Sequence, residues 1–321
     1  MVDRVTVVLL TYNCAHRLDE VLEHLLALGI PLIAVDNASV DGTAAALARR
    51  EGVELIRLPE NIGAAARNVG MRRATTPYVA CCDDDGWYDA DGLERAADLL
   101  DRHPALALVN ARILVGPGEH LDPISAEMAE SPLPDRHGLP GTVLMGYMAG
   151  AVVFRRSAYL GVGGYDERFF MGGEEETLSF RLLRAGWQLR YVPEVLMWHQ
   201  PSQANVGAIR PYGMRNTLWN AWLHRPWRSA LRWSVFVLLD RPHSRAWAQG
   251  VWWAVVGAGW VRRHRSVMSE ELDADLRVLD ERNFAASNNL WARLLSGPRR
   301  RRPEPTVPSR ARPLLDRSGR R

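Results

Sequence analysis

Lysine is missing from this chain. All 40 basic residues of its 321 are arginine, which we read as a bias in composition and not as a functional signal. Cysteine is scarce, with only Cys14, Cys81 and Cys82. Two of these are adjacent in a core-strand pattern, so no disulfide framework is expected and a reducing, cytoplasmic compartment is. Long apolar runs are lacking too. None approaches the roughly 20 residues that a membrane-spanning helix needs. The first apolar run, residues 5–10, follows an acidic residue and ends in polar TYN, so no signal peptide is expected. What remains is ordinary globular composition, 47% hydrophobic and 24% charged, enough for one large domain or one domain with an appendage. The net charge of +3 is unevenly spread. From Arg299 onward nine Arg face Glu304 and Asp316, a net +7 that leaves −4 for residues 1–298.

The first half alternates strand and helix signals. A continuous β-branched run predicts a strand at 5–10, and further strands are expected at 31–36, 53–58, 78–82 and 105–115. Helical spacing predicts helices at 16–28, 44–50, 63–73 and 91–102. Such alternation implies a mostly parallel, doubly wound α/β sheet flanked by helices. Ligands of such sheets sit at the carboxyl ends of the strands. Those ends read Thr11-Tyr12-Asn13, Asp36-Asn37, Pro59-Glu60-Asn61 and Asp83-Asp84-Asp85. Residues 116–141 are rich in Pro and Gly and read as a long loop. Regular structure resumes over 142–200, with a helix after the glutamates at 174–176 and a strand ending in Trp198-His199.

Three acids in a row repel one another unless something positive joins them. In extended backbone Asp83 and Asp85 share a side and Asp84 opposes them. A hard divalent cation takes such oxygens and keeps room for phosphates. An acidic turn capping the next helix explains the triplet equally well. The run Gly172-Gly173-Glu174-Glu175-Glu176 looks like a loop entering a helix. Acids in a first turn suit the helix dipole, but crowding three of them raises their pKa values and makes one a candidate general base. A lone strand-end His199 is more often structural than a metal ligand.

The ordered set TYN, VDNASVDGT, ENIGAAARNVG, DDD, GGEEETLSFRLLRAGW and WH resembles glycosyltransferase family 2, inverting nucleotide-sugar enzymes of the Rossmann-like GT-A fold, over about residues 4–200. The branch it looks most like is the rhamnosyltransferase-like group of bacterial surface-glycan enzymes, whose members often continue with a segment like Tyr212-Gly213-Met214-Arg215-Asn216. The resemblance implies a catalytic domain over 1–205, with a nucleotide-sugar half to about 115 and an acceptor half after it. It implies that Thr11, Tyr12 and Asn13 border the nucleotide and that Asp36 meets its base or ribose. Asn61, Gly63, Arg67 and Asn68 would line the nucleotide and diphosphate, Gly63 allowing close backbone approach. Asp83 would lie by the ribose, with Asp84 beside it. Asp85 would be the main ligand of Mg²⁺ or Mn²⁺, with His199 and Asp83 in the same set. Glu175 falls where the family has its catalytic Asp, with Glu174 and Glu176 as alternates. The implied donor is a UDP- or dTDP-sugar, and the acceptor a glycan, a lipid-linked sugar or a small molecule of secondary metabolism.

Beyond Pro201 the character changes. Eight of the 12 Trp lie between Trp219 and Trp260. Helical apolar faces such as Leu218, Trp219, Trp222 and Leu223, then Trp233, Val237 and Leu238, fit two readings. With Arg215, Arg225, Arg228, Arg232, Arg262, Arg263 and Arg265 they suit an anionic membrane surface, the inner face of the plasma membrane. Alternatively, residues 206–297 form a helical subdomain packed on the core or on a second copy in a homodimer. The Arg/Pro-rich residues 298–321 read as a disordered tail. A nucleotidyltransferase shares the alternating fold, but TYNCAHRLDE lacks that class's Gly-rich phosphate loop. A pure binding module acting through the Trp/Arg region should lose all function on truncation after Pro201, whereas an enzyme should keep its nucleotide site. No nucleic-acid motif accompanies the charge, and no nucleic-acid partner is expected.

Overall fold

A computed structural model describes residues 1–201, 206–240 and 243–289. The expected tail at 298–321 lies outside the described residues. The chain opens with β1 (Val5–Thr11), α1 (Leu18–Ala27), β2 (Leu32–Asp36), α2 (Thr43–Ala48), β3 (Val53–Arg57), a 3-10 turn at Gly63–Ala66 and α3 (Arg67–Arg73). It continues through β4 (Tyr78–Asp83), β5 (Gly86–Tyr88), α4 (Ala90–Arg102), β6 (Leu106–Val115) and β7 (His120–Leu121). Then come α5 (Pro123–Ala129), β8 (Thr142–Val143), β9 (Val152–Arg155), α6 (Arg156–Gly161), α7 (Glu174–Arg184) and β10 (Gln188–His199). Five helices close it: α8 (Val206–His224), α9 (Trp227–Asp240), α10 (Arg245–Val256), α11 (Ala258–His264) and α12 (Glu270–Ala286).

One sheet runs β3-β2-β1-β4-β9-β6-β10-β5, with β7 on β6 and β8 on β10. β3, β2, β1 and β4 pair in parallel, as do β6 and β10. β9 is antiparallel to both β4 and β6. One reversed strand thus sits between two parallel blocks, and β1, β2, β4, β6 and β10 all end on the same edge. β1 shows why the pattern folds this way. Val5, Val7 and Leu9 join the core layer of α1 and α4, while Val8 and Leu10 join that of α3, α6 and α7. Both faces are covered, so every residue of the strand is apolar or satisfied. The alternation runs on through Cys81 and Cys82, which are buried, free and on opposite faces.

Two expectations are corrected. Residues 116–141 are not a bare loop. They hold β7 and α5, the latter started by Asp122, whose side chain accepts from Ile124 N–H, with Pro123 in its first turn. The Trp/Arg helices do not turn their expected faces outward. Leu218, Trp219, Leu223 and Val237 are buried with Phe169, Met214, Phe236 and Phe284, and Trp233 and Leu238 pack against them. Only Trp222 of that set is exposed, and its indole N–H donates to Ser234 Oγ at 3.0 Å. Most of the named arginines face inward too: Arg225 is buried against Asp280 at 2.6 Å, and Arg265 donates to the Arg225 carbonyl.

Candidate active site

The β1–β2 register sets Thr11 beside Asp36, and the β1–β4 register sets Leu10 beside Asp83. Asp36 is fully buried. Its Oδ2 accepts from Ser39 N–H at 3.2 Å and lies 3.6 Å from Arg57 Nε, while its Oδ1 is buried with no partner. Asn13 adopts a left-handed φ of 51°, which an asparagine tolerates, and its amide oxygen accepts from Val40 N–H. Tyr12 is exposed at the rim.

The three aspartates part at the end of β4, which closes at Asp83 and leaves Asp84 and Asp85 in a turn. Asp83 continues the face of Val79 and Cys81 and pairs with Arg67, the first residue of α3. Asp84 points to the opposite side, where Arg17 and the Tyr12 N–H hold it. Burial raises the Asp84 pKa and Arg17 opposes that rise. Asp85 sits in the turn before β5. β5 pairs antiparallel with the end of β10, matching Gly86 to His199, and the Gln200 N–H donates to the Asp85 carbonyl at 2.7 Å. That pairing brings His199 Nε2 within 3.4 Å of Asp85 Oδ1, and this contact raises the imidazole pKa against the effect of burial. Asp83, Asp85, Met148, Gly150, Met197 and His199 line one cavity. A larger cleft of about 440 Å³, lined by Arg136, Met145, Gln188 and Asp275 among others, holds none of the strand-end residues.

Among the described residues no three His, Cys, Asp or Glu gather closely enough to hold a metal by themselves. Of the expected trio, Asp85 and His199 are in contact, and Asp83 lines the same cavity while pairing with Arg67. A pair still fits Mg²⁺ or Mn²⁺, which bind through one or two carboxylates and take other oxygens from water and phosphate. Arg67 is buried. Burial acts to lower its pKa, but Asp83, then Tyr165, Cys81 and Glu174, outweigh it and hold the guanidinium charged.

The glutamates occupy the first turn of α7, behind Gly172 and Gly173 with φ of 78° and 91°, values that favour glycine. All three carboxyl pKa values are raised, and burial is the largest cause in each, ahead of the crowding expected from sequence. Glu174 is pushed up to about 8, with Glu175 the next cause. Glu175 is raised, with Arg67 lowering it and Asp83 raising it. Both therefore feel the Asp83–Arg67 side of the crevice. Glu176 does not belong with them. It accepts from Asn220 Nδ2 at 2.9 Å and is pushed up to about 7 among Arg225, Asn220 and Asp280. It faces the helical cap.

Two of the residues expected on the nucleotide side also shape local turns. Asn68 Oδ1 accepts from Tyr159 Oη and Tyr165 N–H, and its Nδ2 donates to the Tyr165 carbonyl, so it clasps the 159–165 turn. Gly63 is glycine because Phe170 crowds it. A Cβ there would lie 2.0 Å from the Phe170 carbonyl oxygen, which accepts from Ala64 N–H at 2.7 Å. Asn61 Oδ1 accepts from the Gly63 N–H and shapes the same turn.

Sequence reasoning missed several residues. Gly150 leaves room for Asp83, whose Oδ2 would lie 2.6 Å from a Cβ there. Buried Asn216 on α8 donates from Nδ2 toward the carbonyls of Phe169 (2.9 Å), Met171 (3.1 Å) and Gly172 (2.6 Å), and Asn220 donates to that of Gly173 at 2.7 Å. One helical turn apart, the two amides clamp the loop that leads to the glutamates. The only sequence signal was the YGMRN segment itself.

Comparison with known proteins agrees with this geometry. The profile of Glycosyl transferase family 2 matches residues 6–162. The pre-mycofactocin glycosyltransferase of Mycobacterium tuberculosis is 34% identical over 165 residues, 46% of this chain but only 32% of that protein. The chain thus spans about a third of the length of that relative. An uncharacterized glycosyltransferase of Mycobacterium bovis is 33% identical over 188 residues, 58% of this chain and 82% of that one. The N-acetylglucosaminyl-diphospho-decaprenol L-rhamnosyltransferase of M. tuberculosis is 26% identical over 306 residues, 84% of this chain and 94% of that one. Among solved structures, the mannosyltransferase PcManGT of Pyrobaculum calidifontis, in complex with GDP-Man and Mn²⁺, superposes with a TM-score of 0.56 at 19% identity, over 91% of this chain and 83% of that one. TarS 1-349 of S. aureus, in complex with UDP-GlcNAc, gives 0.57 at 13% identity over 91% and 88%. These two share the GT-A fold with the present sheet. With four fifths of the M. bovis relative covered at one third identity, the chain belongs to glycosyltransferase family 2.

Proposed function

We propose that this chain moves a sugar from a nucleoside-diphosphate sugar, UDP- or dTDP-linked, to an acceptor hydroxyl with inversion at the anomeric carbon. The observation that carries the reading is the convergence, on one sheet edge, of buried Asp36, the Arg67–Asp83 pair, the Asp85–His199 pair and the base-bearing turn of α7. Asp36, with its unpaired oxygen, suits a donor group on the nucleotide base or ribose. Thr11, Tyr12 and Asn13 border that end.

A divalent cation at Asp85 and His199 would neutralise charge on the departing diphosphate. Arg67 adds fixed positive charge nearby. Glu175 takes the proton of the acceptor hydroxyl as its oxygen attacks the anomeric carbon. The bond from that carbon to the diphosphate oxygen breaks, and the electron pair leaves with the nucleoside diphosphate. The raised pKa of Glu175 suits it to this role, since a base works best when its pKa lies near the operating pH.

The full-length relative named for a decaprenol-linked acceptor supports a cell-surface glycan or glycolipid product. The relative named for pre-mycofactocin supports a small-molecule acceptor as the second reading. No helix among the described residues is long and apolar enough to cross a membrane. A thermal-shift series with UDP, dTDP and GDP, with and without Mn²⁺, tests the donor site. One nucleotide should raise the melting temperature, and Mn²⁺ should enlarge that shift in the native chain but not in Asp85→Asn. A nucleotide response indifferent to both Mn²⁺ and Asp85 would remove the cation from the reading; no response to any nucleotide would remove the donor site.

A further inference from the structure

The helical cap turns an apolar stripe outward. α10 and α11 form nearly one rod. Gly257 between them keeps helical angles, φ −79° and ψ −4°, and the N–H groups of Gly257 and Val261 bond four residues back at 3.0 and 3.1 Å. The inward side of this rod carries small residues at Gly250 and Ala254 together with buried Val261, and Trp247, Val251 and Trp260 pack against the cap core. Gly250 is buried with a Cβ position 2.6 Å from Met214, and Ala254 is buried beside Trp219. Other large apolar residues point out: Trp252, Val255 and Val256 are 65%, 61% and 65% exposed. A helix facing water carries polar residues at such outer positions.

The stripe also has charged ends. Arg245 precedes Trp252 by two turns and Arg263 follows it by three, so both lie in line with the apolar residues, about 27 Å apart along the rod. Arg245, Arg262 and Arg263 are exposed, and α10 and α11 contain no carboxylate. Over residues 201–269 ten Arg stand against the single acid Asp240.

We infer that the outer face of α10–α11 seats on an anionic phospholipid bilayer, with Trp252, Val255 and Val256 in the interface and Arg245, Arg262 and Arg263 on the headgroups. Charge complementarity selects this occupant. A second copy of the chain packed face to face would set one arginine stripe against another. The face also connects to the site. Tyr212, Trp219, Trp253 and Val256 line a groove of about 320 Å³ beside the rod. Within it Tyr212 meets Trp253 at 5.0 Å and Phe170 at 4.9 Å between ring centroids, and Phe170 begins the loop that carries the glutamates. An acceptor with an apolar tail in that bilayer would lie on the acceptor side. This last connection rests on the proposed transfer reaction; the seating does not.

Co-sedimentation of the full chain with lipid vesicles, with no donor or metal present, tests it. The chain should bind vesicles of phosphatidylglycerol mixed with phosphatidylcholine, lose binding as salt rises, and ignore pure phosphatidylcholine. The triple variant W252S/V255S/V256S should lower the partition coefficient roughly tenfold or more while its melting temperature holds. The single variant Val256→Asp should act in the same direction and serves if the triple variant folds poorly. R262Q/R263Q should weaken binding and flatten its salt dependence. Equal binding by the apolar variants, equal binding to pure phosphatidylcholine, or no binding by the native chain overturns the inference. A native dimer that these variants dissociate, without any vesicle binding, overturns it in favour of self-association. Because no sugar transfer is read, failure here leaves the catalytic reading standing, and failure of the donor test leaves this one.

Discussion

Replacing Asn216 with alanine should slow catalysis more than it weakens donor binding. The Asn216 amide is fully buried and its two protons are shared among the carbonyls of Phe169, Met171 and Gly172. Phe169 keeps other donors, the Met171 N–H at 2.8 Å and Arg215 Nη2 at 2.8 Å. Met171 and Gly172 lose theirs. A buried carbonyl left without a partner costs about 1–3 kcal/mol, and water entering from the crevice offsets part of that, so about 2–4 kcal/mol is the expected penalty. The penalty falls on the loop whose Gly172 and Gly173 set the start of α7, and hence on the position of Glu175. If half of it appears as loop disorder in the transition state, kcat falls roughly 5- to 30-fold at 1.4 kcal/mol per tenfold. The melting temperature should drop by about 3–6 °C for a chain this size. Donor affinity, read by isothermal titration with the nucleotide found in the thermal-shift series, should change less than about threefold, because Asp36 and the Asp85–His199 pair lie on other elements. A variant with native kcat, or one whose whole loss lies in donor KM, refutes the claim that α8 positions the base.

The glutamates should separate by substitution. Glu175→Gln should abolish transfer yet keep the nucleotide-induced thermal shift, whereas Glu176→Gln should retain transfer, read as nucleoside-diphosphate release. Glu176 also makes a pH prediction. Its carboxyl titrates near 7 in the fold against 4.5 in the open chain, so the native state binds the extra proton and its stability falls as pH rises through that window. Removing the titration with Glu176→Gln should flatten the fall between pH 5 and 8, by on the order of 1–3 kcal/mol in urea unfolding at the upper end; an unchanged slope would count against a buried Glu176. Gly63→Ala should destabilise the chain by more than 1–2 kcal/mol, since it places a Cβ against the Phe170 carbonyl and strains a φ of 65°. A neutral result by thermal melt would mean the Gly63–Phe170 contact relaxes freely.

Strand periodicity made much of this fold legible. β1, β2 and β4 are continuous apolar or β-branched runs up to their polar last residues, and the parallel rule alone placed Thr11, Asp36 and Asp83 on one edge. What periodicity does not carry is pairing between distant short strands. β5 is three residues, Gly86–Tyr88, and nothing in GWY says that it will pair with the end of β10. Yet that pairing brings Asp85 to His199. The reversed β9 was hidden in an apolar stretch for the same reason. Side-chain alternation predicts a division among Asp83, Asp84 and Asp85, but their partners Arg67 and Arg17 lie on other elements and could not be read. The Trp-rich helices misled because an apolar face has the same spacing whether it meets a bilayer or another helix. Only packing tells Trp219, inside, from Trp252, outside.

That packing also reverses the expectation for truncation. A chain cut after Pro201 was expected to keep its nucleotide site if the protein is an enzyme. In the structure the helical cap is no appendage. Phe169, fully buried, sits in the cap's own core against Trp219 and Trp260, and Phe180 of α7 packs with Met268 and Leu276 and against His224. Exposing each phenylalanine costs about 1.5–3 kcal/mol. Losing both amides of the clamp adds about 2–4 kcal/mol by the reasoning given for Asn216. The total, about 5–10 kcal/mol, is comparable to the whole stability of an ordinary domain. Nor does the damage stop at α7, because Phe170 in that loop accepts from Ala64 and crowds Gly63 just before α3. A fragment of residues 1–201 should therefore lack a cooperative melting transition and fail to respond to nucleotide, even though every residue assigned to the donor lies within it. A fragment that melts within a few degrees of the full chain and still shifts with nucleotide would show that the sheet holds its site without the cap, and that α8 is a support the chemistry does not need.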